Sequence, residues 1–281
     1  MIKQNPFSLY DFLGYFIPGS VCFFILLNFN KILEFKNFDV FINTSKNFDT
    51  SLDSVTLFVI FSYVVGHIVS FLSSITIERY TIWKYGFPSK YILGIAQKTF
   101  WKSAKKCTDF AWRIILIILF FPLIIFDYIL GSQLNFEKFF KQSVDKSLAD
   151  LIVFKANKLL SKIGYEEMHD YKNNEGILNN FDFHRILYHY AYENSKNHQQ
   201  KLSNYVALYG FTRTLCFIFS CLSSYFFYKY LFEIVTNYSS NLLMITLLST
   251  TTAYILYMAF MKFYRRYSLE CLMVTAIIEN D

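Results

Sequence analysis

The sequence predicts an all-α, multi-pass membrane protein with four spans, one re-entrant apolar block and a small cytoplasmic helical module. Of its 281 residues, 54% are hydrophobic and only 17% are charged, which is an apolar excess over ordinary soluble domains. This excess is concentrated in blocks, since residues 54–77 and 234–261 contain no Asp, Glu, Lys or Arg. Each block is long enough to cross about 30 Å of hydrocarbon, which needs about 20 helical residues.

The first two spans are predicted within residues 1–77 and the last two within 214–261. Helices are expected because none of the apolar blocks alternates like a barrel strand. The first span carries Pro18 and Gly19, a pair expected to kink a helix and to leave carbonyl groups for neighbouring helices to satisfy. The four predicted spans are residues 12–27, 55–77, 214–232 and 242–261.

The apolar block 114–130 is long enough to cross, so the charge distribution has to decide its path. If it does not cross, the N-terminus, residues 78–213 and the tail 262–281 all lie on one side of the membrane. That side then holds 23 of the 27 Lys and Arg residues. Because basic residues favour the cytoplasmic side, this predicts four spans with both termini in the cytoplasm. Pro122 then marks the bend of a re-entrant hairpin, and Asp127 faces protein or headgroups and not lipid. A fifth crossing is the alternative.

The connection 78–131 is expected to begin with a basic cytoplasmic helix after Pro88. Its lysines are expected to contact anionic lipid or a phosphorylated ligand. A solvated amphipathic helix packed on its neighbours is the alternative. The net charge of +6 is therefore assigned to a membrane surface, and nucleic acid is not expected as a partner. The lysines concerned are Lys98, Lys102, Lys105 and Lys106.

Residues 132–213 are predicted to form the cytoplasmic helical module, since their apolar residues keep a helical period. Gly164 is expected to end one helix and Asp182 to cap the next, which would then run towards the third span. About 80 residues are marginal for an isolated domain, so we expect support from oligomerisation or from residues 79–112. A cytoplasmic protein partner would bind this module.

Four further polar residues are candidates for intramembrane roles. His67 lies in the middle of the second span, where it would make either a packing hydrogen bond or a proton-conducting or pore-lining contact. Lys229 and Glu233 are four residues apart, which favours a structural ion pair near the far interface. Asp127 completes this set.

No enzymatic chemistry is expected. His184 and His189 are five residues apart, which places them off a common helical face and disfavours a metal site. The sequence contains no Walker loop, no GxSxG and no HExxH motif. We therefore expect no catalytic residue, no metal and no cofactor.

Three stretches carry a resemblance to a known group of proteins: "YDFLGYFIPG" at the start, "VVGHIVSFLSS" in the second span and "ALYGFTR" before the third. Their order resembles uncharacterised bacterial membrane proteins found beside antiviral systems, and the transmembrane accessory proteins of some CRISPR loci are similar in plan. The resemblance covers mainly the membrane part. It implies an antiphage accessory or effector in the inner membrane, whose helices oligomerise and alter permeability after a cytoplasmic cue. A scaffold or sensor without a pore and a small transporter are the alternatives.

Overall fold

The computed structural model describes residues 9–29, 51–95, 97, 100–104, 106–164, 182–232 and 239–278. All secondary-structure elements in this part of the chain are helices and it contains no strand, which confirms the all-α prediction. Its α-helices of five residues or more are α1 (Ile17–Leu27), α2 (Leu52–Ser73), α3 (Arg79–Tyr85), α4 (Pro88–Ile92), α5 (Cys107–Leu119), α6 (Phe121–Phe126), α7 (Lys146–Lys162), α8 (Phe183–Asn194), α9 (Lys196–Phe232) and α10 (Ser239–Ile277). π-helical turns at Phe12–Phe16, Ser74–Glu78 and Asp127–Gln133 adjoin α1, α2 and α6.

Among the described residues, three helical segments are long and apolar enough to cross a membrane: Leu52–Ile92, His198–Phe232 and Asn241–Ile277. A bent pair, Cys107–Leu119 with Phe121–Gln133, would be a fourth if it were one span. The predicted first span is present as the apolar helix Phe12–Leu27, but at 1.5 Å per residue its length of about 24 Å is less than the hydrocarbon thickness.

Helices α1 and α2 cross with their backbones in contact. A Cβ atom on Gly19 would collide with the carbonyl oxygen of Ser62, and one on Gly66 would collide with the carbonyl oxygen of Tyr15. Ser62 and Gly66, two small residues four positions apart on α2, therefore allow the two helices to approach closely. Pro18 is the second residue of α1, in the turn that follows the π-helical segment Phe12–Phe16, so its missing amide falls next to a departure from α geometry.

The block predicted to be re-entrant is sharply bent. The two halves, Cys107–Leu119 and Phe121–Gln133, meet at 91°, and Pro122 stands in the first turn of the second half. The amide of Val144 donates to the carbonyl of Ile92 at 3.0 Å, which joins the chain before the block to the chain after it. The chain therefore enters this block and leaves it at neighbouring points of the fold.

The expectation of one basic helix after Pro88 is wrong for the described residues. Helix α4 ends at Ile92 because Gly94 adopts a positive φ of 71°. The amide of Gly94 donates to the carbonyl of Tyr91 and that of Ile95 to the carbonyl of Lys90, the paired bonds of a Schellman cap. The described residues between Gly94 and the start of α5 at Cys107 form no helix, so Lys102 lies in a turn and Lys106 only precedes α5.

The helical module packs around the end of the chain. Gly164, with a φ of 77°, follows α7, and the Asp182 carboxylate accepts from the Arg185 amide at the start of α8, which confirms both predicted signals. The predicted last helix is interrupted at Ser195, after which α9 runs unbroken to Phe232. One buried core joins α4, α7 and α8 to the first turns of α9 and the last turns of α10; its members include Ile92, Ile152, Leu160, Leu187, Leu202 and Leu272.

That core corrects two expected boundaries. The segment 262–281 was predicted as a separate tail, yet its described residues up to Ile277 continue α10, and Cys271 and Leu272 are fully buried in the module. The boundary at 213 likewise falls within α9. The support expected from residues 79–112 is supplied by Tyr91 and Ile92.

Gly66→Ala should destabilise the α1–α2 pair, because its methyl group would occupy the position of the Tyr15 carbonyl oxygen. Overpacking of this kind costs about 1–3 kcal/mol. Thermal unfolding of the purified protein in detergent measures the effect. Gly210→Ala is the matched control, since a Cβ there meets no atom within 4 Å and should be neutral or stabilising. Equal unfolding temperatures for the two variants would contradict this packing.

Candidate functional site

A cavity of about 620 Å³ lies where the helical module meets the two longest helices. The residue before α4 and the start of α4 form one wall, Asp182 and the start of α8 a second, and α9 and α10 a third. Its volume is in the range of small-molecule sites. We call it the junction cavity, and its lining is Phe87, Pro88, Ser89, Lys90, Asp182, Phe183, His184, Arg185, Tyr188, His189, Tyr209, Tyr264, Tyr267 and Ser268.

The junction cavity combines basic groups with aromatic rings. Lys90 is only 6% exposed and its ammonium lies 5.7 Å from the centre of the Phe87 ring. Arg185 is exposed at the rim, 4.0 Å from the carboxylate of Asp182. Tyr209 and Tyr267 face each other across α9 and α10 with ring centres 5.8 Å apart. The arrangement suits a ligand with an anionic group and a flat apolar part.

His184 lines this cavity with an unsatisfied nitrogen. Its Nε2 is enclosed, and no described residue hydrogen-bonds to it. The ring packs edge-on against Tyr267, with centres 5.5 Å apart. Burial lowers the pKa of His184 to about 4, although the nearby Asp182 carboxylate acts in the opposite direction. The imidazole is therefore neutral at pH 7.

A second polar site surrounds Asp127, one of the predicted intramembrane candidates. The carboxylate is fully buried and lies 2.7 Å from the ammonium of Lys84. The hydroxyls of Tyr80 and Tyr85 each donate to it at 2.8 Å. Asp127 thus lies inside the protein with both oxygens bonded, and this arrangement fastens the bent block to α3.

Gly131 makes room for this site. A Cβ atom there would lie 2.7 Å from a carboxylate oxygen of Asp127 and 3.0 Å from the Tyr85 hydroxyl. Gly131 and Asp127 both belong to the π-helical turn Asp127–Gln133, in which i→i+5 bonding changes the direction of the side chains.

A third polar site joins α2 to α9. Arg213 forms an ion pair with Glu78, which ends the π-helical turn Ser74–Glu78. Its Nε donates to the Ser73 hydroxyl at 3.0 Å, and Nη2 lies 3.5 Å from the Ser70 carbonyl oxygen. Arg213 is 9% exposed, so this largely desolvated cation has its acid beside it.

The other predicted residues are dispersed. His67 is exposed on α2 and stacks on Tyr15, with ring centres 3.9 Å apart. Lys102 is exposed in a turn, and Lys106 is exposed as the residue before α5. Lys229 is half-buried in α9. Lys98, Lys105 and Glu233 lie outside the described residues, and so does the predicted Lys229–Glu233 pair.

The partners of Asp127, which were not identified from the sequence, are Lys84, Tyr80 and Tyr85. Tyr80 and Lys84 are four apart, so a polar stripe on one helical face was a local signal for them. Their partner Asp127 is more than 40 positions away, which no spacing rule connects. Among the described residues, no group of three His, Cys, Asp or Glu side chains could hold a metal ion.

The comparisons with known proteins give no match. The sequence fits no protein-family model, and neither a curated protein nor a solved structure is significantly similar to it. The site therefore has to be interpreted from its own geometry.

Asp127→Asn should lower stability by about 3 kcal/mol, because it leaves the Lys84 cation without its counter-charge. Thermal unfolding in detergent tests this. Lys84→Met combined with Asp127→Asn should cost less than the sum of the single changes, since both remove one interaction. Asp53→Asn, at an exposed position of α2, is the control and should change stability by no more than about 0.5 kcal/mol. Additive costs for the pair would refute the coupling.

Stability should fall as the pH is lowered from 7 to 5, because the unfolded His184 takes up a proton near its ordinary pKa of about 6.5 while the folded one does so only near 4. The expected loss is on the order of 1–2 kcal/mol. Unfolding temperatures at the two pH values measure it. His184→Gln should reduce the difference, whereas the same change at the exposed His189 should leave it intact. An undiminished difference in His184→Gln would rule out this origin.

Proposed function

We propose that this chain is a membrane-embedded accessory or effector protein of bacterial antiviral defence, which oligomerises and alters membrane permeability in response to a cytoplasmic cue. The observation that carries the coupling is the continuity of α9 and α10, which both run from the module core into apolar segments. A change at the junction cavity would be transmitted along these helices without an intervening loop. The antiviral setting rests on the resemblance of the membrane motifs.

We propose the four-span topology, with both termini cytoplasmic in an inner membrane. The core that unites α4, α7, α8 and the end of α10 supports one compartment for all of them. The bond between Val144 and Ile92, together with the 91° bend, favours a re-entrant path for the block between them. The basic residues of these segments make that compartment the cytoplasm.

Self-association is supported by polar surface on a candidate span. His67, stacked on Tyr15, presents the exposed part of its imidazole on the outer face of α2, where it would meet lipid in a monomer. A polar group in hydrocarbon is unfavourable, and contact with another copy of the chain would remove it from lipid. We therefore place an assembly contact at α2.

Dye leakage from vesicles tests the proposal. The full chain is reconstituted into anionic vesicles loaded with a self-quenching dye, and filtered small-molecule extracts from phage-infected or uninfected bacteria are added. Extract from infected cells should release the dye, because a ligand in the junction cavity shifts α9 and α10.

Arg185→Glu, which reverses the charge at the cavity rim, should reduce the release at least tenfold. Arg266→Glu is the matched control, since Arg266 is exposed on α10 and does not line the cavity. Release by neither extract would exclude a permeability change and leave the scaffold or sensor function. Equal release by Arg185→Glu and Arg266→Glu would exclude the junction cavity as the receptor.

A further inference from the structure

Arg113 has the most unusual environment of the described cations. Its side chain is 2% exposed, and neither Nε nor Nη1 has a hydrogen-bond partner in the described chain. A buried guanidinium without an acceptor is unfavourable by several kcal/mol. Arg213, which is similarly buried, is paired with Glu78, so the fold does provide an acid where one is needed.

Aromatic rings offset only part of this cost. The guanidinium carbon lies 4.7 Å from the centre of the Trp83 ring and 5.2 Å from that of Phe100. Such contacts stabilise a desolvated cation, but they leave the N–H groups without acceptors. The nearest acid along the helix, Asp109, accepts from the Lys106 amide at 3.2 Å and acts on Arg113 as a nearby charge, without a hydrogen bond to its Nε or Nη1.

The surroundings of Arg113 are those of a membrane surface. Helix α5 buries Arg113 and Leu116 on one face and exposes isoleucines on the other, including Ile115 and Ile118, and the buried Phe120 follows its end. Two indoles near its start, Trp101 and Trp112, are 49% and 37% exposed. Apolar surface below an exposed aromatic belt suits acyl chains below a headgroup.

We propose that Arg113 binds the phosphate of an anionic lipid headgroup. A planar guanidinium whose Nε and Nη1 lack acceptors matches two phosphate oxygens, and the exposed Lys102 and Lys106 add positive charge in the chain that leads into α5. The half-buried Phe100 ring lies in a turn beside the guanidinium, and binding requires it to move aside so that the headgroup can enter. The exposed isoleucines select a lipid over a free phosphate. This site is separate from the junction cavity and does not depend on the cue proposed to bind there.

Thermal unfolding of the full chain in detergent tests the site with three probes: short-chain phosphatidylglycerol, phosphatidylcholine of the same chain length, and inorganic phosphate. Phosphatidylglycerol should stabilise the wild type at concentrations at least tenfold lower than either other probe. Arg113→Gln should raise the concentration needed at least tenfold. Arg266→Gln, which removes an exposed arginine from α10, should respond like the wild type.

The remaining outcomes are also decisive. An unchanged response in Arg113→Gln, or equal effects of phosphatidylglycerol and phosphatidylcholine, would overturn the proposal. Equal effects of inorganic phosphate would show a free-phosphate site and overturn the lipid assignment. If Arg113→Gln does not elute as a folded species, Arg113→Lys carries the test, because it retains the charge but not the planar pair of donors. It should weaken the response to phosphatidylglycerol several-fold, and an unweakened response would again overturn the proposal.

Discussion

The pairing of α9 with α10 is the interaction on which the rest of the structure depends. These helices pack along one another through aromatic contacts such as Tyr209 with Tyr264, whose rings stack 5.3 Å apart. α2 attaches to α9 through Arg213, and the bent block packs on both helices. The module encloses the first turns of α9 and the last turns of α10. Because α2, the bent block and the module all attach to this pair, a displacement of the two helices would reach the module and the apolar segments together.

Paired polar groups fasten the apolar helices to one another. In surroundings that lack water, an ionised side chain is stable only beside a counter-charge or several donors. Asp127 has Lys84 and two tyrosine hydroxyls, and Arg213 has Glu78 and Ser73. Both sites adjoin π-helical turns, where the change of helical register aims the side chain at its partner. Arg113 lacks such a partner among the described residues, which is why it suggests a ligand.

Local patterns predicted much of the fold but not its continuity. Apolar blocks, Gly164 and Asp182 were sufficient for helix positions and ends, because these depend on nearby residues. Gly94 ends α4 through its positive φ, whereas the spacing of the lysines had predicted a helix that continues past it. The segment 262–281 was expected to form a tail because basic residues favour the cytoplasmic side, whereas its buried Cys271 and Leu272 belong to α10 and complete the module core.

The sequence by itself determined that this is an all-α chain with helices suited to a membrane, since hydrocarbon selects apolar residues in uninterrupted runs. It also indicated that Asp127, a carboxylate within an apolar block, needs a polar partner. Only the tertiary structure decided that Lys84 neutralises it, that Arg113 is left without an acceptor, and that α4, α8, α9 and α10 enclose a cavity. These features join residues far apart in the chain, and their energies depend on burial and distance, which a linear pattern does not specify.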